Sequence, residues 1–419
     1  MILPRLVFES LLNRRSTIVL TLITIAFSVA LLLGVEKVRQ DTRYSFSNTV
    51  SGTDLIVGAR SGNLPLLLYS VFHIGNASNN ISWQSYQHIR KNKKVAWSIP
   101  ISLGDSHRGF RVLGTNSDYF KFYRHGNKQQ LDFEHGKPFA ALFDVVIGAD
   151  VAKKLNYTLG KKIILSHGVG KVSFSDHDDK PFAVVGILKK TGTPVDRTVH
   201  VSLQAIEAIH LDWQTGYKNP AHAVSAKQAL KLELEPKTIT AFMLGLTSRL
   251  SVFSLQRSIN QYSKEPLLAV LPGATLQELW SLFGLAESAL LIITVFVVLS
   301  GLLGMLTAIL ASLNERRREL AILRSVGARP WHILVMLCAE AGLLTAGGIF
   351  VGVALYYLII IAAAPVVETR YGLTLTLTGL SINNVCMLLI TQVAGILIGL
   401  IPGIRAYRMA LNNGITIRL

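Results

Sequence analysis

Asn314–Ile333 reads NERRRELAILRSVGARPWHI and separates two apolar runs, each long enough to cross a bilayer. It carries Arg316, Arg317, Arg318, Arg324 and Arg329 against only Glu315 and Glu319. A short loop rich in Lys and Arg between two spans marks the cytoplasmic side. Leu320, Leu323 and Val326 recur at roughly helical spacing, and Gly327 stands where a helix usually stops. The expectation is a short amphipathic helix on the inner membrane surface, offering one face to a cytoplasmic partner.

Half of the 419 residues are hydrophobic and only 16% are charged. Apolar runs of about twenty residues then define an integral membrane protein. The spans are expected at 16–35, 281–313, 333–364 and 385–404. Residues 1–15 read as an interfacial elbow, with Leu3, Leu6, Val7 and Leu11 on one face and Arg5, Arg14 and Arg15 nearby. No small-x-small cleavage site follows the first span, so it reads as an uncleaved anchor. Basic residues flank the spans at Arg14 and Arg15, in 314–332, and at Arg405 and Arg408 in the tail 405–419. That pattern puts both termini in the cytoplasm, with 365–384 as an outer loop. The formal charge of +17 does not point to nucleic acid, because no helix-turn-helix, zinc-finger or RNA-recognition pattern accompanies it.

Residues 36–280 are polar, with thirty Lys/Arg against nineteen Asp/Glu, and hold no spanning segment. Long domains translocate largely regardless of charge, so this excess does not oppose an outside location. Strands are expected at Thr53–Ala59, Val95–Ser102, Thr238–Leu244 and Leu267–Leu271, with helices near Trp83–Asn92 and Ser248–Tyr262. Two such β-α-β groups far apart in sequence imply one α+β subdomain interrupted by an insertion at about 116–235. Short strands at Asp144–Ile147, Lys162–Ser166, Phe182–Leu188 and Thr198–Ser202 make that insertion β-rich. The two cysteines, Cys338 and Cys386, lie in apolar spans, so the large domain uses no disulfide. A long helix is expected from near Thr275 through the second span, its outer part projecting as a stalk.

The run Glu315-Arg316-Arg317-Arg318-Glu319-Leu320-Ala321-Ile322-Leu323-Arg324-Ser325-Val326-Gly327-Ala328 resembles E-R-x-R-E-(I/L)-x-(I/L)-(R/L)-x-x-G-A. That is the signature loop of the MacB/FtsX-like permeases of ABC transporters, a group that includes LolC and LolE. Val112-Leu113-Gly114-Thr115, Val145-Val146-Ile147-Gly148 and Val184-Val185-Gly186-Ile187 look like the MacB-type periplasmic core. Glu340-Ala341 with Gly347-Gly348 and Gly352 is similar to the family's third span, and Pro402–Arg408 to its P-x-x-R-A-x-R ending. The family's later proline is absent here. The resemblance implies a fold of four transmembrane helices plus a large α+β periplasmic domain, a MacB-type core with an inserted β-rich subdomain. It implies that 314–332 is a coupling helix docking on a LolD/MacB-like ATPase through Arg316, Arg317, Glu319, Leu320, Leu323, Arg324, Gly327 and Ala328. It further implies a homodimeric or heterodimeric permease of the bacterial inner membrane, in contact with lipid and with a periplasmic or outer-membrane partner. ATP and Mg would sit on the partner ATPase and no cofactor on this chain. The work done would be extraction or export of lipoprotein, lipid or peptide. The other readings are an FtsX-type regulator of periplasmic hydrolases and a metal-linked transport component.

Several residues carry a sharp reading and a bland one. Gly136-Lys137, Gly160-Lys161 and Gly170-Lys171 lack the upstream glycine and following hydroxyl of G-x-x-x-x-G-K-(S/T), so no phosphate loop is present. Glu287 and Glu340, in or beside spans, read as polar anchors or interhelical hydrogen bonders, less readily as a relay. Gly347, Gly348 and Gly352 mark a face for close helix packing. Asp176-His177-Asp178-Asp179 supplies metal-ligand donors, with His177 the candidate, yet a solvated acidic turn explains the same residues. The apolar run Leu64–Ile74 is too short to span. It reads either as core or as a flap facing lipid or substrate through Leu64, Leu66, Leu67, Leu68, Tyr69 and Phe72, and the flap is the expectation carried forward.

Overall fold

The computed structural model describes residues 15–49, 51–126, 128–167, 179–211, 224–315, 322, 325–371 and 377–412. The expected elbow at 1–15 and the end of the tail therefore lie essentially outside the described residues. The chain forms two compact units: one from Thr42 to Phe283, and one combining the chain up to Asp41 with the part from Gly284 onward. The helices that matter are α1 Arg15–Thr49, α2 Asn63–Val71, α3 Trp83–Arg90, α4 Leu203–His210, α5 Val252–Asn260, α6 Pro272–Glu315, α7 Pro330–Tyr371 and α8 Ile382–Asn412.

The spine of the Thr42–Phe283 unit is a mixed sheet. Its path comprises β1 Leu55–Ala59, β2 Val95–His107, β3 Phe110–Thr115, β4 Phe133–Gly136, β5 Asp144–Ile147, β6 Phe182–Leu188, β7 Thr198–Ser202, β8 Ala241–Leu246 and β9 Leu267–Val270. They lie in the order β9-β1-β8-β2-β3-β7-β5-β6-β4. Side chains alternate between the two faces of a strand, and the core follows that rule. Ile56 of β1 with Ala241 and Met243 of β8 join one apolar cluster. Leu55, Val57 and Ala59 with Phe242 and Leu244 join another, shared with Tyr86 and Ile89 of α3 and Val252, Leu255 and Ile259 of α5. Both faces are covered, which is why these strands read as continuous apolar runs.

One strand joins the subdomain to its insertion. Residues 95–101 of β2 pair antiparallel with β8, and 102–107 pair with β3 across an irregularity between Leu103 and Ser106. The strand expected at Val95–Ser102 is longer, because Gly104-Asp105 does not end it. That dipeptide is instead a bulge, and the strand runs to His107. Arg108 (φ 47°) and Gly109 (φ 84°) then make the two-residue turn to β3. Two successive positive φ values suit the twist of a hairpin. The expected strand at Lys162–Ser166 is two short pieces, Lys162–Ile163 and Ser166–His167, added to β6 and β2.

The flap expectation is corrected by α2. Leu66 and Leu67 are fully buried, Tyr69 is 3% exposed and Phe72 6%, while Leu64 and Leu68 pack half-buried on the same cluster. An added Cβ at Gly58 of β1 would lie 2.6 Å from Leu66 Cδ1 and 2.8 Å from the Tyr69 hydroxyl. The helix therefore lies tightly on β1, as a core element and not a mobile surface.

Burial also makes the sheet sensitive to acid. His200 of β7 is fully buried, with Nδ1 3.3 Å from the Val146 carbonyl and the Tyr119 and Phe120 rings around it. Burial, and then neighbouring His73, push its pKa down to about 3. His73 is itself pushed down to about 4 by burial and then by Arg111. Both are neutral in the fold, so the unfolded chain takes up protons below about pH 6.5 that the folded chain does not. The contribution of these two histidines should be constant above that pH and fall between about 6.5 and 4, by about 1.4 kcal/mol per histidine per pH unit, whereas His210, whose pKa is raised against the cost of burial by its bond to Asp105, acts in the opposite sense as the pH rises above 6.5. Thermal melting at stepped pH checks this. His200→Phe, which keeps a ring and removes one titrating group, should flatten the slope.

Among the described residues four helices are long and apolar enough to cross a membrane: Arg15–Arg43 of α1, Pro272–Leu313 of α6, Pro330–Val367 of α7 and Ile382–Arg408 of α8. Two outlines differ from the sequence reading. Helix α1 runs unbroken past the charges at Glu36–Asp41, where the span was ended at 35, and α7 passes through Pro365 to Tyr371, where it was ended at 364.

Candidate coupling site and membrane-unit joints

The loop at 314–332 is entered from α6 and left into α7. Arg316, Arg317, Glu319, Leu320, Leu323 and Arg324 lie outside the described residues, as does His177. Among the described residues no cluster of three metal-ligating side chains occurs. The described end of the loop is still helical at its last turn, since the Val326 amide donates to the Ile322 carbonyl at 3.2 Å. Gly327 then adopts φ +99°. A side chain at such a φ is strained by about 1–2 kcal/mol, so glycine is the residue that lets the chain reverse here. Exposed Gly327 and half-buried Ala328 lead to Arg329, whose amide donates to His332 Nδ1 at 3.1 Å. Pro330 begins α7, a position where the missing amide proton costs nothing.

Two apolar side chains of this turn face outward: Ile322 is 63% exposed and Val326 83%. They are four residues apart and so share one helix face. Trp331 (53%) follows beyond the glycine. The sequence reading placed the apolar anchors at Leu320 and Leu323.

Three glycines of α7 meet α1. A Cβ added at Gly347 would sit 3.0 Å from Leu22 Cδ2, at Gly348 2.5 Å from Ile25 Cγ2, and at Gly352 2.7 Å from Val29 Cβ and 2.8 Å from the Ala26 carbonyl oxygen. The last contact is with backbone, which cannot rotate away. Gly352→Ala should therefore force α1 and α7 apart and cost about 1–3 kcal/mol. Gly34→Ala, where a Cβ meets nothing within 4 Å, should be neutral or mildly stabilising. Melting of the two variants in the same detergent compares them. On its other side α7 packs on α8, where Gly395 faces Thr345, Gly399 faces Ala341 and Gln392 Nε2 donates to the Gly342 carbonyl at 2.9 Å. Helix α6 meets α1 where Ser28 Oγ donates to the Val297 carbonyl at 3.2 Å, opposite Gly301.

The two span carboxylates part company. Glu340 is buried within the helical unit at 6% exposure, in the stretch of α7 that packs on α8. Glu287 lies in the N-terminal half of α6, where its Oε2 is 3.9 Å from Arg39 NH1 on α1.

The model of the MacB-like periplasmic core domain matches residues 18–264, and that of the FtsX-like permease C-terminal region matches 291–411. The chain belongs to the MacB/FtsX-like family of ABC permeases: a membrane protein with four apolar helices and a large mixed α/β domain of the MacB periplasmic type. Among solved structures, the periplasmic region of MacB from Actinobacillus actinomycetemcomitans is 12% identical, with a TM-score of 0.33, covering 55% of this chain and 94% of that one. The extracellular domain of the noncanonic ABC-type transporter YknZ from Gram-positive bacteria is 15% identical, with a TM-score of 0.30, covering 52% and 99%. Comparison with curated proteins gives no match.

Proposed function

We propose that this chain is the permease subunit of an inner-membrane ABC system, converting ATP hydrolysis by a separate subunit into movement of its periplasmic domain. The observation that carries this reading is the outward-facing Ile322–Val326 pair in an arginine-rich loop that ends at Gly327. An apolar pair inside a charged loop suits a protein groove with an acidic rim better than it suits water. In this reading the ATP and Mg belong to the ATPase subunit, in keeping with the lack of a G-x-x-x-x-G-K-(S/T) loop in this sequence. A dimeric permease, of two copies or of this chain with a relative, would offer one such loop to each of two ATPase subunits. The cargo class is lipoprotein, lipid or peptide taken from the outer face of the membrane. The test is co-purification of an ABC ATPase subunit from the native host, with hydrolysis measured in nanodiscs. A permease that neither retains that ATPase nor changes its rate overturns the reading.

The match to the FtsX-like model over 291–411 keeps one second reading, a regulator of periplasmic hydrolases driven through the same loop. Capture of a peptidoglycan hydrolase in place of lipid or lipoprotein distinguishes it. Both readings require the termini inside and 36–280 outside. Single cysteines at Lys128 and Lys237 should react with an impermeant reagent in intact spheroplasts. Protection until lysis would reverse the topology.

A further inference from the structure

Where α1 leaves its apolar stretch, Glu36, Lys37, Arg39, Gln40 and Asp41 follow within six residues. Two of them are almost out of water: Glu36 is 4% exposed and Lys37 5%. Charges buried to that degree persist only when paired. Glu36 Oε1 accepts from Arg39 NH2 at 2.8 Å and from Gln40 Nε2 at 2.6 Å. Lys37 Nζ pairs with Asp41 Oδ1 at 2.9 Å.

Pairs three or four apart along one helix are common and contribute little. The remaining bonds are of another kind, because they leave the helix. Arg39 NH1 reaches Glu287 Oε2 of α6 at 3.9 Å. Lys37 Nζ donates to Thr378 Oγ1 at 3.0 Å, in the segment that precedes α8. Tyr357 of α7 donates to the carbonyl of the same Thr378 at 3.4 Å. All of these residues belong to the helical unit, and together they tie α1, α6, α7 and the approach to α8 at one level.

We propose that these residues form an ion-paired collar that locks α1 and α6 into one body with the 377–381 segment. A displacement of α6, started at the coupling loop, is then carried by α1 as well instead of being lost between loosely held helices. Lys37 and Arg39 are positioning residues for this transmission. The consequence for transport rests on the coupling function proposed above, whereas the collar itself does not.

The experiment has one arm for each. Spin labels at Val38 and Leu377, which are 52% and 63% exposed, report the joint in the full-length chain in nanodiscs without nucleotide. The native chain should give one narrow distance distribution. Lys37→Met and Arg39→Met should broaden it, and Lys37→Arg, which keeps the charge, should keep it narrow. Arg39→Lys, which keeps a cation beside Glu36 and Glu287, should keep it narrow as well, so that loss of the ion pairs is distinguished from a general folding defect. Narrow distributions in both methionine variants overturn the collar. In the second arm the cognate ATPase is added. Lys37→Met should still bind it and hydrolyse ATP, but lose the ATP-driven shift of labels on the sheet unit. A full shift in that variant overturns the transmission role. A native chain that holds no ATPase defeats the coupling function instead, and the first arm still decides the collar.

Discussion

Leu67→Asp is expected to unfold the sheet unit. Leu67 is fully buried on α2, in the cluster that also holds Ile56, Met243 and Val270, so an aspartate there has neither water nor a cationic partner within the apolar packing. The loss combines the transfer energy of the leucine, about 1.5–3 kcal/mol, with the cost of an unpaired buried charge, for a total of about 4 kcal/mol or more. Domains of this kind are stable by roughly 5–15 kcal/mol, so the variant should be marginal or unfolded. Ile74→Asp, three residues beyond the end of α2 and 54% exposed, should leave melting nearly unchanged. Limited proteolysis and thermal melting of the two variants side by side measure the difference. Equal stability of both would return 64–74 to the role of an exposed flap.

The same segment shows how far the sequence could be read. LPLLLYSVFHI has no polar face, so periodicity could not separate a helix buried on one side from an exposed apolar patch. Only the close approach of Leu66 and Tyr69 to Gly58 decides it. Strands β5, β6 and β7 were legible to the residue because each is a short apolar run closed by polar or glycine turns. The continuation of β2 through Gly104-Asp105 was not, since a bulge and a turn use the same residues. In the helical unit, small residues at Gly347, Gly348 and Gly352 announced close packing, although the partner helix needed the structure. The collar at Glu36–Asp41 was invisible for a plainer reason. Charges after an apolar run normally mark its exit to water, and the partners Glu287 and Thr378 stand more than two hundred residues away in sequence.

Ile322→Asp combined with Val326→Asp is expected to separate the permease from its ATPase while leaving the chain folded. Both side chains are largely exposed, so in the isolated chain a carboxylate at either position meets water and costs little. Neither substitution touches Gly327, and the reversal into α7 is kept. In a docked complex the same positions would be covered. An apolar anchor lost at an interface typically costs about 2 kcal/mol or more, roughly a 30-fold weakening for each. Leu323→Asp should act in the same direction if the face extends one turn back. Arg317→Ala and Arg324→Ala should weaken assembly less, and mainly at low ionic strength, because exposed charges are screened within about 10 Å at 0.1 M salt. Pull-down of the ATPase and hydrolysis in nanodiscs, read beside unchanged melting of the permease, test the set. Full retention of the ATPase by the double variant would leave the loop as a positively charged anchor on the membrane surface, with the docking face elsewhere.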